Sequence, residues 1–135
     1  MASPPTSYRS GLSRARGLGS AHHGVGEFIA ERVTSVALAP LSLWAVWAVI
    51  AVGHGGYAGA VAFLQSPVQA VLAVLFLGVS FHHMHLGMRV IVEDYIHDNR
   101  RKIMLLLLNA GMCLLGAALA VFAVLKVAFA GGVAH

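Results

Sequence analysis

From Val33 to Met88 the chain carries no Asp, Glu, Lys or Arg, an uncharged run of 56 residues. A second such run, Ile103 to Leu125, covers 23 residues. A helix needs about 20 apolar residues to cross a hydrocarbon layer about 30 Å thick. The first run is therefore too long for one crossing and suits two, and the second run makes a third. Turn signals fall at Gly53-His54-Gly55-Gly56 and at Ser66-Pro67. The pattern predicts helices near residues 30–52, 68–96 and 103–125. Pro40 removes a donor and frees the Val36 carbonyl, so a kink is expected in the first helix. Trp44 and Trp47 fall inside that helix rather than at its ends, as packing residues would.

Composition narrows the class. The 135 residues fit one domain, with 59% hydrophobic and only 10% charged residues and a mean hydropathy of +0.80. Soluble domains carry about 25% charged residues, so a water-soluble globule is excluded. The expected fold class is an all-α membrane protein with three transmembrane helices. Its 27–126 anchor domain is flanked by an N-terminal tail, 1–26, and a C-terminal tail, 127–135. Orientation follows the basic residues. Arg9, Arg14, Arg16 and Arg32 precede the first helix, Arg100, Arg101 and Lys102 join the second to the third, and the other ends carry only Lys126. This predicts a cytoplasmic N-terminus and a periplasmic C-terminus in a bacterial inner membrane. The acid-free start, with its Arg and Ser residues, keeps a mitochondrial transit peptide as the alternative. The single cysteine, Cys113, excludes an intrachain disulfide and reads as an inert core thiol.

The unusual polar cluster lies on the second helix: Phe81-His82-His83-Met84-His85-Leu86-Gly87-Met88-Arg89, then Glu93-Asp94-Tyr95-Ile96-His97. Ionisable side chains inside a span are costly and point to function. At 100° per residue, His83, Gly87, Val90 and Asp94 share one stripe, with His82 to one side and His85 on the far face. A glycine one turn from an imidazole leaves room for a flat group such as a porphyrin, for which neutral imidazole is a common axial ligand. The rise from His83 to Asp94 is about 16 Å, which puts the imidazole within the layer and the carboxylate near the headgroups. Two axial ligands approach iron from opposite sides, so a second would come from another chain. Packing histidines are the plain alternative. A metal-ion carrier using His82, His83 and His85, and a structural adaptor without cofactor, are the other readings. Arg89 and Glu93 read as an i, i+4 ion pair. Tyr95 suits either an interfacial anchor or a hydrogen-bond donor to a lipophilic substrate, with Asp94 beside it. His97 and Asp98 read as headgroup-level polar residues, and Gly116-x-x-x-Ala120 as a helix-contact seam.

His83-Met84-His85-Leu86-Gly87, followed after six residues by Asp94-Tyr95-Ile96-His97, resembles the smaller hydrophobic membrane-anchor subunit of succinate dehydrogenase, respiratory complex II. Phe28-Ile29-Ala30-Glu31-Arg32-Val33-Thr34 looks like that family's Arg-x-Thr segment opening the first helix. The resemblance runs from about Gly17 onward. It implies a bundle formed with a partner cytochrome b anchor, docking an iron–sulfur and a flavoprotein subunit, in a chain that is not catalytic alone. It implies that His83 is one axial ligand of haem b and that Arg32 lies on the propionate side. It further implies that Tyr95 hydrogen-bonds a ubiquinone carbonyl, supported by Asp94. Some members carry a histidine six residues before that arginine; here the position is Gly26, and His22 and His23 are out of register.

Overall fold

The computed structural model describes residues 24–130. The N-terminal tail up to residue 23, with Arg9, Arg14, Arg16, His22 and His23, and residues 131–135 of the C-terminal tail lie outside the described residues. Three helices follow one another: α1 Gly24–Gln65, α2 Pro67–Tyr95 and α3 Asn99–Ala130. Each is long and apolar enough to cross a membrane. Over its most apolar 18 residues α2 has a mean hydropathy of 1.5, against 2.1 for α1 and 2.4 for α3. The polar cluster thus dilutes the helix that carries it without costing it a spanning length.

α1 begins earlier than the apolar pattern indicates, at Gly24, with Glu27 in its first turn, where a carboxylate favours the helix dipole. It also runs through Gly53 and Gly55, and its backbone angles leave the helical region only at Gly56, with φ 59° and ψ −155°. That region is essentially open to glycine alone. Pro40 sits within continuous helical angles, so the break in α1 is at the glycine and not at the proline. The chain doubles back there. A straight helix would separate residues 44 and 63 by roughly 28 Å, yet the Trp44 and Phe63 ring centroids are 6.4 Å apart and those of Trp47 and Phe63 5.9 Å. The stretch expected to be a loop is therefore mostly a short helical return over residues 57–65. Its sequence, Tyr57 to Gln65, is apolar, and in a bilayer an apolar backbone must satisfy its own N–H and C=O groups.

α2 packs against both neighbours, while α1 and α3 meet least. The α1–α2 seam is antiparallel: Trp44 Nε1 donates to Gln69 Oε1 at 2.9 Å, and Thr34 meets His83. The α2–α3 seam is closer still at Gly116, where an added Cβ would lie 2.5 Å from Phe81 Cε1. The expected small-residue seam is thus a ring seated on a glycine. What is buried is small or few: Ala48, Ala70, Ala73, Leu86, Val92 and Cys113. Large apolar side chains face outward, with Leu43 76% and Leu114 72% exposed, as lipid-facing or partner-facing surfaces do.

Three residues, 96–98, connect α2 to α3. Lys102 Nζ donates to the Glu93 carbonyl at 3.0 Å, placing a cation on the free end of α2. Asp98 caps α3, its Oδ1 accepting from the Arg100 N–H at 3.3 Å. Asp98 thus has a structural task beyond headgroup polarity. Arg100, Arg101 and Lys102 occupy the first turn of α3, where the helix dipole disfavours cations. Asp98 offsets part of that cost, its Oδ2 lying 3.4 Å from Arg101 Nε.

Candidate functional site

The α2 cluster is divided between two seams because residues two apart on a helix point about 200° away from each other. His83 faces α1: its Nδ1 lies 2.9 Å from Thr34 Oγ1. The same hydroxyl donates back along α1, with the Ala30 carbonyl at 2.8 Å and the Glu31 carbonyl at 3.0 Å. His83 Nε2 has no hydrogen-bond partner among the described residues. His85 faces α3: Asn109 Nδ2 donates to the His85 carbonyl at 3.0 Å and lies 3.2 Å from His85 Nδ1. Asn109 Oδ1 in turn accepts from the buried Cys113 thiol at 3.3 Å. His82 and His85 border a cavity of about 270 Å³ between α2 and α3, while His82 itself is exposed. His83 is therefore parted from His82 and His85, and no group of three or more metal-ligating side chains forms among the described residues. This corrects the metal-carrier alternative: the helical rotation that sends His83 to α1 sends His85 to α3.

Beside His83 the helix surface is open. A Cβ built on Gly87 would meet nothing within 4 Å, and Val90 is 47% exposed. Two residues beyond Gly87, Arg89 closes a charged bridge. Its Nε donates to Glu93 Oε1 at 2.8 Å along α2, and its NH1 reaches Glu27 in the first turn of α1. The expected i, i+4 pair is thus the helix-internal half of a triad that pins α1 to α2. Asp94 and Tyr95 end the helix; both are exposed, Tyr95 by 77%.

Arg32 does not approach His83. Its guanidinium stacks over the Phe28 ring, 5.0 Å from the centroid, on a face of α1 turned about 200° from Thr34. The structure brings together His83 and Thr34, and leaves Asp94, Tyr95 and Arg32 as separate exposed groups. Thr34 stands in the Arg-x-Thr segment, where nothing local assigns it a partner. Asn109 is absent from the polar pattern of α2, and its signal is a lone amide between Leu108 and Ala110 in an apolar span.

The family model for succinate dehydrogenase/fumarate reductase transmembrane subunits matches residues 6–124. The chain belongs to this family. A succinate dehydrogenase hydrophobic membrane anchor subunit of Paracoccus denitrificans is 33% identical over 89 residues, 65% of this chain and 68% of that one. Those of Rickettsia bellii and Rickettsia conorii are 27% identical over 93 residues and 26% over 108. These alignments cover 69% and 79% of this chain, and 74% and 86% of the relatives. No solved structure matches significantly. With three spanning-length helices and membership of this family, the chain is a multi-pass membrane anchor protein.

Proposed function

We propose that the chain is the smaller membrane anchor of a succinate:ubiquinone oxidoreductase, contributing one axial ligand of haem b and part of the ubiquinone-reduction site. In this reading it sits in a bacterial inner membrane with its N-terminus cytoplasmic, bundled with a partner cytochrome b anchor, and docks the iron–sulfur and flavoprotein subunits. The observation that carries it is His83: an imidazole on a membrane-spanning helix of this family, held through Nδ1, with Nε2 unpartnered among the described residues and open helix surface at Gly87 beside it. Those residues fit a porphyrin, since a ligating nitrogen and a face without a side chain lie one turn apart. When bound, haem b supplies one-electron redox chemistry; the chain supplies the ligand, its orientation and a dry environment. Arg32, which is exposed near the start of α1, would serve a propionate from the cytoplasmic side by releasing Phe28.

Tyr95 and Asp94 would meet the quinone head where α2 reaches the headgroups. The phenol donates a hydrogen bond to a quinone carbonyl and stabilises the negative charge that develops there on reduction. The Asp94 carboxylate, adjacent and exposed, holds and passes the proton between that hydroxyl and water. The exposure of both residues supports this role, since a substrate arriving along the bilayer meets them directly.

The test uses the assembled complex purified from membranes. In His83→Ala the reduced-minus-oxidised haem b spectrum should be lost or displaced, and an unchanged spectrum would overturn the ligand assignment. In Tyr95→Phe quinone reduction should fall about 100-fold, the scale for one transition-state donor. Succinate oxidation by an artificial dye should persist; equal loss of both activities would contradict the site.

A further inference from the structure

We propose that Thr34 is a positioning residue that fixes which nitrogen of His83 carries hydrogen, and so presents Nε2 as the ligating atom. The inference rests on the reading of His83 as an axial ligand. The hydroxyl of Thr34 has one hydrogen and faces three partners: the Ala30 and Glu31 carbonyls at 2.8 and 3.0 Å, and His83 Nδ1 at 2.9 Å. The carbonyls only accept, so the hydroxyl hydrogen belongs to them; were it turned to the ring, two carbonyl oxygens would face a third oxygen without a hydrogen between them. The remaining contact is satisfied when His83 Nδ1–H donates to Thr34 Oγ1. A neutral imidazole with hydrogen on Nδ1 carries its lone pair on Nε2.

His85 provides an internal control two residues away. Asn109 Nδ2 must donate to the His85 carbonyl, which settles the orientation of the amide, and Cys113 donating to Oδ1 agrees with it. The second hydrogen of the same nitrogen then points to His85 Nδ1, which accepts. The His85 hydrogen is therefore on Nε2, the opposite arrangement. Of these two neighbouring imidazoles, α1 prepares one to bind a metal through Nε2, and α3 prepares the other not to. The Thr34 contact also joins the two sequence segments that carry the family resemblance, because Thr34 closes Arg-x-Thr and His83 opens H-x-H-x-G.

The experiment compares purified complexes containing wild type, Thr34→Val, Thr34→Ser and His83→Ala. Valine keeps the shape and removes the hydroxyl, and serine restores it. An outer partner of a ligating histidine raises its basicity and orients its ring, and its loss typically weakens metal binding 10–100-fold. Thr34→Val should shift the haem midpoint potential upward, alter the ferric electron-paramagnetic-resonance signal and weaken haem retention about 10-fold, with Thr34→Ser close to wild type. If His83→Ala changes the haem spectrum while Thr34→Val leaves potential, resonance signal and retention unchanged, the Thr34 assignment is wrong and the ligand assignment stands. If His83→Ala leaves the spectrum unchanged, the ligand assignment fails, and this inference with it. Should Thr34→Val not assemble, histidine-ring 15N magnetic resonance on the wild-type complex decides the matter. An Nδ1–H on His83 hydrogen-bonded to the Thr34 hydroxyl supports the assignment, and an Nδ1–H bonded to water or to another group overturns it.

Discussion

At the scale of single residues, polar side chains of α2 are partnered from two sides: Thr34 from α1 for His83, Asn109 from α3 for His85, Glu27 for Arg89. The Arg89 bridge allows a direct test. Its side chain is 37% exposed and those of its partners 45% and 38%, so water screens much of the attraction. Arg89→Leu should therefore cost only about 1 kcal/mol of stability, read as a lower thermal midpoint of the detergent-solubilised complex. The difference from wild type should shrink in high salt. A loss several times larger, insensitive to salt, would mean the bridge is drier than its exposure indicates. The sequence spacing placed His83, Gly87, Asp94 and Tyr95 on one helix because helical periodicity is a local property. It gave no access to the Thr34–His83 or Glu27–Arg89 contacts, since those depend on the vertical register of one helix against another, which no local pattern encodes.

At the scale of elements, two glycines have specific work. Gly56 alone permits the reversal that lets Phe63 reach Trp44 and Trp47. Gly56→Ala should destabilise the anchor by about 1–3 kcal/mol, the usual cost of forcing a side chain into such a region. Gly53→Ala, within helical angles and with nothing within 4 Å, should be neutral or mildly stabilising. Protease resistance of the solubilised complex distinguishes the two, and equal behaviour would remove the special role of Gly56. Gly116→Ala should likewise weaken the α2–α3 seam by about 1–3 kcal/mol through overpacking against Phe81, and Phe81→Leu should relieve part of it. The number of spans was legible in the sequence because charge-free runs are hard to hide. The return over residues 57–65 was not, because the glycines at 53 and 55 advertise a turn that only Gly56 makes.

At the scale of the whole molecule, three helices leave most large apolar side chains outward and bury a handful of small ones. A chain of this kind has little core of its own, so its persistence depends on what surrounds it. Produced without the other subunits, it should be degraded several-fold faster than in the assembled complex, measured by pulse-chase in membranes; equal lifetimes would show a self-sufficient bundle. The link of three residues between Tyr95 and Asn99 has a further effect. Arg100 and Arg101 are exposed immediately beyond it, so the depth of the phenol is tied to that of two cations suited to lipid phosphates. For the proposed quinone site, bilayer charge would thereby set access: vesicles rich in anionic lipid should hold Tyr95 at a fixed depth, and zwitterionic ones should let it wander.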